Sequence, residues 1–335
     1  MSNILHWGIL GTGNIARKFA KDVLETPTQM IVAVGSRATE SAEKFGADFG
    51  IASHCRYDSY EGLIADPKVQ AVYISLPNHL HKEWTIRCAK AGKHILCEKP
   101  LAVNRAEADE MLEVVKACDV FLMEAFMYRC HPQTFKLRAL LDSGVIGEVR
   151  MIHAHFSYNM GPQYGNIRMS NPKAGGGIMD VGCYPVSVAR LAAGCEPLEC
   201  KAVAKIGAVS RVDEQAAATL YFPNGAVAAI SCGTQVSAEN TVTIFGSEGS
   251  IHNPSPWFGK GKESKLILTV KGVSEEIKVD TNVSLYGIEA LHVAEHIAAR
   301  QAPAMTWADS IGNMETLDAL RRSIGLVFDC EKTKH

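Results

Sequence analysis

A chain of 335 residues, at about 150 residues per domain, has the length for two domains with a core each, and a single small disulfide-stapled module is excluded. The 34 Lys and Arg against 36 Asp and Glu leave a net charge of −2, so no basic field is available to hold nucleic acid. With 47% hydrophobic and 21% charged residues the composition is that of an ordinary globular protein and not of a disordered one.

The N-terminus carries no basic leader, and its apolar run over residues 4–10 is broken at once by glycines. It predicts a first strand and not a signal peptide or membrane span. Further strands are predicted over 30–36, 71–77, 94–100 and 120–126, with helical periodicity between them over 14–24, 39–49, 80–91 and 105–118. That rhythm belongs to a parallel sheet with crossover helices, so residues 1–124 read as a doubly wound α/β domain.

The alternation stops near residue 147. Strand-like runs then follow one another (VRMIHAHFSYN, AAATLYFP, AVAAISCG, TVTIFGS, KLILTVKG), separated by turn residues. They predict an open, mainly antiparallel sheet in an α+β domain over 125–335. One helix, about 178–193, interrupts them after Gly175, Gly176 and Gly177, and two helices near 285–300 and 307–325 close the chain; Asn253 to Lys262 reads as a loop. The ten cysteines form no CxxC pair and read as reduced thiols of a cytoplasmic protein.

Gly11-Thr12-Gly13-Asn14-Ile15-Ala16 follows a strand and opens a helix, the context that a dinucleotide fingerprint requires. The first glycine permits the tight turn, the second lets backbone approach a pyrophosphate, and the small Ala16 allows helix and strand to pack closely. About 20 residues on, where a carboxylate would bind the ribose hydroxyl of NAD(H), stand Ser36 and Arg37. A guanidinium suits a 2′-phosphate, so the expectation is NADP(H) over NAD(H).

Cys97-Glu98-Lys99-Pro100 ends a predicted strand on the edge where open α/β sheets bind ligands. An ammonium there can stabilise a developing alkoxide. In Gly175-Gly-Gly-Ile-Met-Asp180-Val-Gly182-Cys-Tyr184-Pro185, a helix would set Asp180 and Tyr184 on one face, with Gly182 leaving room for a ligand. Pro185 argues that this helix is irregular or begins near it. The carboxylate could orient a polyhydroxylated substrate and the phenol could move the proton that accompanies hydride transfer. Cys97 and Cys183 flank these residues and would report on the site through thiol modification.

His292-Val-Ala-Glu295-His296 has the spacing of a metal-binding helix but lacks an evident third-ligand motif. It reads as helix surface, with no metal expected.

The strings GTGNIA, CEKP and GGGIMDVGCYPV, in this order and spacing, resemble the Gfo/Idh/MocA oxidoreductase family over essentially the whole chain. The resemblance implies an N-terminal Rossmann domain and a C-terminal domain whose open sheet forms a subunit interface, hence a homodimer. It also implies oxidation or reduction of a sugar, polyol or related diol with a nicotinamide cofactor. Lys99 matches the family's catalytic lysine. Tyr184 stands where many members have a catalytic histidine, which is the main departure. Together with Ser36-Arg37 and the segment 122–132, it resembles the branch of trans-dihydrodiol dehydrogenase and NADP-dependent D-xylose dehydrogenase. In that branch Pro77 and Asn78 line the nicotinamide side, and Glu98, Glu124, Arg129 and His131 surround the active site, the last two toward substrate. The competing class is an NADP(H)-binding regulator of the same fold; the joint presence of Lys99 and Tyr184 favours an enzyme.

Overall fold

The computed structural model describes residues 4–258 and 264–332. Its chain divides into two compact units, one made of Met1–Ala102, Ala106–Cys130 and Val283–Ser310, the other of Val103–Arg105, His131–Asn282 and Ile311–His335. The first unit therefore takes a late segment of the chain in addition to the N-terminal residues.

The first unit alternates β1 (Leu5–Leu10), α1 (Asn14–Leu24), β2 (Gln29–Gly35), α2 (Thr39–Asp48), β3 (Arg56–Tyr57), α3 (Tyr60–Ala65), β4 (Ala71–Ile74), α4 (His81–Lys90), β5 (His94–Glu98), α5 (Arg105–Ala117), β6 (Leu122–Ala125) and α6 (Met127–Cys130). The strands form one sheet in the order β3-β2-β1-β4-β5-β6, and β1 pairs in parallel with both β2 and β4. The chain thus leaves β1 toward one side and later returns on the other, and that switch point opens a crevice at the carboxyl ends of the strands. Helix α1 buries Ala16, Phe19, Ala20 and Val23, the i, i+3, i+4, i+7 stripe of an amphipathic helix. Phe19 stacks on Tyr73 of β4 with ring centroids 4.0 Å apart and meets the edge of Trp7 at 5.3 Å.

In the second unit come α7 (Pro132–Asp142), β7 (Val149–Ser157), a π-helical turn (Ile178–Gly182) that runs into α8 (Cys183–Ala193), then β8 (Glu199–Ile206), β9 (Asp213–Tyr221), β10 (Val227–Gly233), β11 (Val242–Gly246), β12 (Gly249–Asn253), β13 (Lys265–Val270) and β14 (Val273–Lys278). The eight strands lie in the order β14-β13-β12-β11-β7-β10-β9-β8. The sheet is mainly antiparallel, as the pattern predicts, with β7 and β10 as a parallel pair inside it. One face is buried through Ile152, Ala154, Leu220, Ala228, Ile230 and Ile244, and α8 and the π turn pack against β7 and β10. The chain closes with α9 (Leu285–His296), α10 (Trp307–Ser323) and α11 (Asp329–Lys332). Of the expected loop at 253–262, Asn253 ends β12, residues 254–258 are bends, and 259–262 lie outside the described residues.

Candidate active site

The residues expected to hold a cofactor share one sheet edge. Gly11 leaves β1 with φ +97°, and a Cβ there would sit 2.9 Å from Ser75 Oγ, so a glycine is required by the turn itself. Ser75 Oγ in turn donates to Leu10 O at 2.7 Å. A Cβ at Gly13 would meet nothing within 4 Å, so the backbone of Gly13 borders open space. The first turn of α1, from Asn14 and Ile15, has no acidic residue and no side-chain cap. Its unpaired N–H groups and positive dipole end suit a pyrophosphate.

Beyond β2, Ser36 is buried and accepts through Oγ from Ala38 N at 3.4 Å. Arg37 is exposed and hydrogen-bonds the Tyr60 phenol, which anchors the guanidinium without burying it. After β4, Pro77 precedes a 3-10 turn over Asn78–Leu80. His81 is fully buried; its Nδ1 lies 2.9 Å from Pro100 O and its Nε2 2.8 Å from Leu76 O. One imidazole thereby ties the loop after β4 to the loop after β5. Burial lowers its pKa against the pull of the two carbonyls.

Glu98 and Lys99 emerge at the end of β5, followed by a cis Lys99–Pro100 peptide bond. The Glu98 carboxylate is buried, accepts from the Tyr73 hydroxyl and takes the Lys99 backbone N–H at 3.2 Å. The aromatic stack behind α1 therefore fixes Tyr73, Tyr73 fixes Glu98, and Glu98 fixes the backbone of Lys99. Glu124, at the end of β6, accepts from Leu101 N at 2.9 Å and holds the same loop. Glu289 of α9 was not foreseen from sequence. Both its oxygens are buried without a hydrogen-bond partner, and burial together with the charge of Glu98 pushes its carboxyl well above the ordinary carboxylate range. Both causes favour its protonated form.

Within the second unit, Asp180 lies in the π turn and Tyr184 in the first turn of α8. The irregularity that Pro185 implies is thus a wider i to i+5 turn just ahead of it. Asp180 is held from two sides: the Tyr158 hydroxyl donates to Oδ2 at 2.5 Å, and Arg168 Nε lies 3.1 Å from each oxygen. Neither Tyr158 nor Arg168 carries a motif signal, since each reaches Asp180 only through the fold. The Tyr184 ring is 4% exposed and packs edge-on against Phe156 at 5.0 Å and Trp257 at 5.6 Å. Gly182 departs from expectation. A Cβ there would come 2.9 Å from Cys232 Sγ, so the glycine serves close packing on β10 and not ligand access.

Arg129 is buried and donates to Ala304 O at 2.9 Å and Asp309 at 3.2 Å. His131 caps α7, its Nδ1 accepting from Gln133 N at 3.1 Å; burial lowers its pKa, and its Nε2 is buried with no hydrogen-bond partner. On α9, His292 is buried and not on the helix surface as expected; the ligating atoms of His292, Glu295 and His296 lie within 4.8 Å of one another. Cys97 and Cys183 are both fully buried, so neither can serve as a ready reporter for thiol reagents. All ten cysteines are free thiols. No described helix is long and apolar enough to cross a membrane.

A parallel sheet whose switch point carries a bare helix N-terminus and a glycine turn, with a lysine on the same edge, defines a dinucleotide-dependent oxidoreductase. The chain belongs to the Gfo/Idh/MocA family: residues 5–126 match its oxidoreductase domain with NAD-binding Rossmann fold, and residues 135–252 match its C-terminal domain. It is 32% identical to mouse trans-1,2-dihydrobenzene-1,2-diol dehydrogenase, over 98% of this chain and 99% of that one. To the D-xylose 1-dehydrogenase (NADP(+)) 2 of Haloferax volcanii it is 33% identical, over 95% and 96%. The solved structure of KijD10, a 3-ketoreductase from Actinomadura kijaniata in complex with NADP, superposes with a TM-score of 0.88 at 28% identity, covering 96% of this chain and 98% of that one.

Proposed function

We propose that this NAD(P)-dependent oxidoreductase prefers NADP(H) and acts on a hydroxyl or carbonyl carbon of a sugar, polyol or cyclic diol. The observation that carries the reading is Lys99, placed by Glu98 on the sheet edge that also bears the Gly11 turn and Arg37. The open space at Gly13 and the uncapped start of α1 fit a dinucleotide. A nicotinamide bound there would supply hydride transfer. Thr12 to Ile15 would hold the pyrophosphate through backbone N–H groups, and Ser36 with Arg37 the 2′-phosphate. Pro77, Asn78 and Glu98 would border the nicotinamide.

Lys99 stabilises the alkoxide that develops on the substrate, and Tyr184 moves the hydroxyl proton. Asp180, fixed by Arg168 and Tyr158, orients substrate hydroxyls. Arg129 and His131 complete the substrate side, His131 through its free Nε2. The named activities of the mouse and Haloferax relatives support a diol or aldose as substrate. The chain is further proposed to associate as a homodimer through the open face of its second sheet.

The test is a panel of pentoses, hexoses and trans-dihydrodiols with NADP+ and NAD+, following absorbance of the reduced cofactor. NADP-linked turnover of at least one of them is expected. Tight NADPH binding without turnover of any would make the protein a cofactor-binding regulator instead. Arg37→Asp is expected to weaken NADP(H) by about 2 kcal/mol, roughly 30-fold, with little effect on NAD(H); an unchanged ratio of the two affinities removes Arg37 from phosphate recognition.

A further inference from the structure

The three glycines ahead of Asp180 are explained by what they wrap. A Cβ at Gly175 would press on the backbone of Ile167 and Arg168. Gly176 has φ +109°, and a Cβ there would overlap Oδ1 of Asp213; one at Gly177 would lie 3.2 Å from its Oδ2 and 3.3 Å from Gly233 Cα. Asp213 is the first residue of β9 and fully buried. Its Oδ2 accepts from Ile178 N–H at 2.6 Å, while Oδ1 is buried with no hydrogen-bond partner. A glycine turn running into a helix N-terminus is a ready anion cradle. Here the chain fills it with its own carboxyl.

We propose that Asp213 is a positioning residue for Asp180 and Tyr184: its ionised carboxylate pins the Ile178 N–H and fixes the start of the π turn, and protonation loosens that turn. The inference rests on the roles given to Asp180 and Tyr184 above. Burial raises the Asp213 carboxyl to about 7, against the backbone N–H bonds and Arg321. The charged and titratable groups facing it are Arg321 of α10, which favours the anion, and the Cys232 thiol of β10, which burial keeps protonated. A charge-assisted bond is roughly twice as strong as a neutral one; with the carboxyl still buried when the turn opens, loss of the Ile178 bond raises its pKa further, so the open turn favours the proton and the turn is held more firmly on the alkaline side of neutrality.

The experiment compares the full chain with Asp213→Asn and Asp213→Ala by amide hydrogen exchange of residues 175–184, corrected for intrinsic rates, between about pH 6 and about pH 8. Wild type should lose about fivefold protection over residues 178–182 on acidification, and the Asn variant should show the low value throughout. Where a substrate is known, Asp213→Asn should lower kcat about tenfold, leave KM and the NADPH dissociation constant within about twofold, and abolish the acid limb of kcat near neutrality. Because Asn is neutral and of the same shape, its melting temperature at about pH 8 should equal or exceed that of wild type, which a simple structural prop would not give. Asp213→Ala should lose protection at least as far, since it cannot accept the bond at all. An Asn variant with wild-type protection and an unchanged pH course overturns the proposal. A pH-dependent turn in a protein that turns over no substrate upholds the anchor and defeats only the reductase reading.

Discussion

At the residue scale, the side chains that sequence could point to are those embedded in local strings. Lys99 and Tyr184 each stand beside a proline or glycine whose backbone constraint marks the position. Lys99→Met and Tyr184→Phe should each lower kcat by about 10²- to 10⁴-fold while NADPH still binds; steady-state kinetics with fluorescence titration of NADPH checks both, and near-normal turnover in either variant removes that residue from the chemistry. Tyr158, Arg168, Asp213 and Glu289 were illegible for a common reason. Each acquires its role from a partner far along the chain, as Asp213 does from Ile178 and Glu289 from Glu98, and no local pattern encodes that. Glu289 makes a pH prediction of its own. Its folded-state pKa is raised, so the folded protein holds a proton that the unfolded chain releases above the ordinary carboxylate pKa. Stability from this group is present at low pH and falls as pH rises from the ordinary value toward the folded one, at up to about 1.4 kcal/mol per pH unit. Glu289→Gln should flatten that slope in urea titrations from about pH 5 to about pH 8; an identical slope in the variant rules the assignment out.

At the element scale, five of the six parallel strands and the four longer helices between them were readable because each is buried on both faces or carries a clean apolar stripe, as α1 does with Ala16, Phe19, Ala20 and Val23; the six-residue α3 is too short to show a period. The strands that escaped are mostly edges. β3 and β8 each end a sheet, as does β14. β3 has only two residues, β8 alternates outward Glu199, Lys201 and Lys205, and β14 carries Glu275 and Glu276. Charge on an edge blunts unwanted pairing and also erases the hydrophobic period by which a strand is recognised. The mixed pairing of β7 with β10 was hidden too, because strand order is a property of the assembled sheet. A prediction at this scale concerns the two loops that His81 ties together. The two ring nitrogens each lie within hydrogen-bond distance of a carbonyl, and Gln cannot set polar atoms at both places in the same geometry, so His81→Gln should cost about 1–3 kcal/mol of stability and weaken NADPH binding. Urea unfolding and cofactor titration measure the two effects, and a variant unchanged in both would show that the imidazole only fills space.

At the scale of the molecule, the second sheet leaves one face to account for. Its strands alternate, and the side opposite α8 presents rows that cross from strand to strand: Tyr221, Val227, Met151 and Phe245 in one, and Thr219, Ala229, His153, Thr243 and His252 in the next. Tyr221, Met151 and Phe245 are 46%, 44% and 38% exposed and stand side by side along one row. A two-fold axis through this face would place the same rows from two copies against each other. Three imidazoles lie within the patch or beside it. His155 hydrogen-bonds Ser231 Oγ through Nδ1 and has its pKa lowered by burial and by His153, and His252 Nδ1 lies 2.8 Å from Thr243 Oγ1. Protonated rings in a buried interface would set like charges from both copies against each other. Burial lowers the pKa of His155 in the single chain; an interface that covers the ring further would disfavour its charged form more, so association should weaken as pH falls into the acid range. Sedimentation equilibrium should show a dimer at about pH 7.5 that dissociates at least tenfold more readily near pH 5.5. Met151→Lys with Phe245→Glu should give monomers at both pH values while the first unit still binds NADPH. A wild-type monomer at micromolar concentration, or a double variant that stays dimeric, would place the subunit contact elsewhere or remove it.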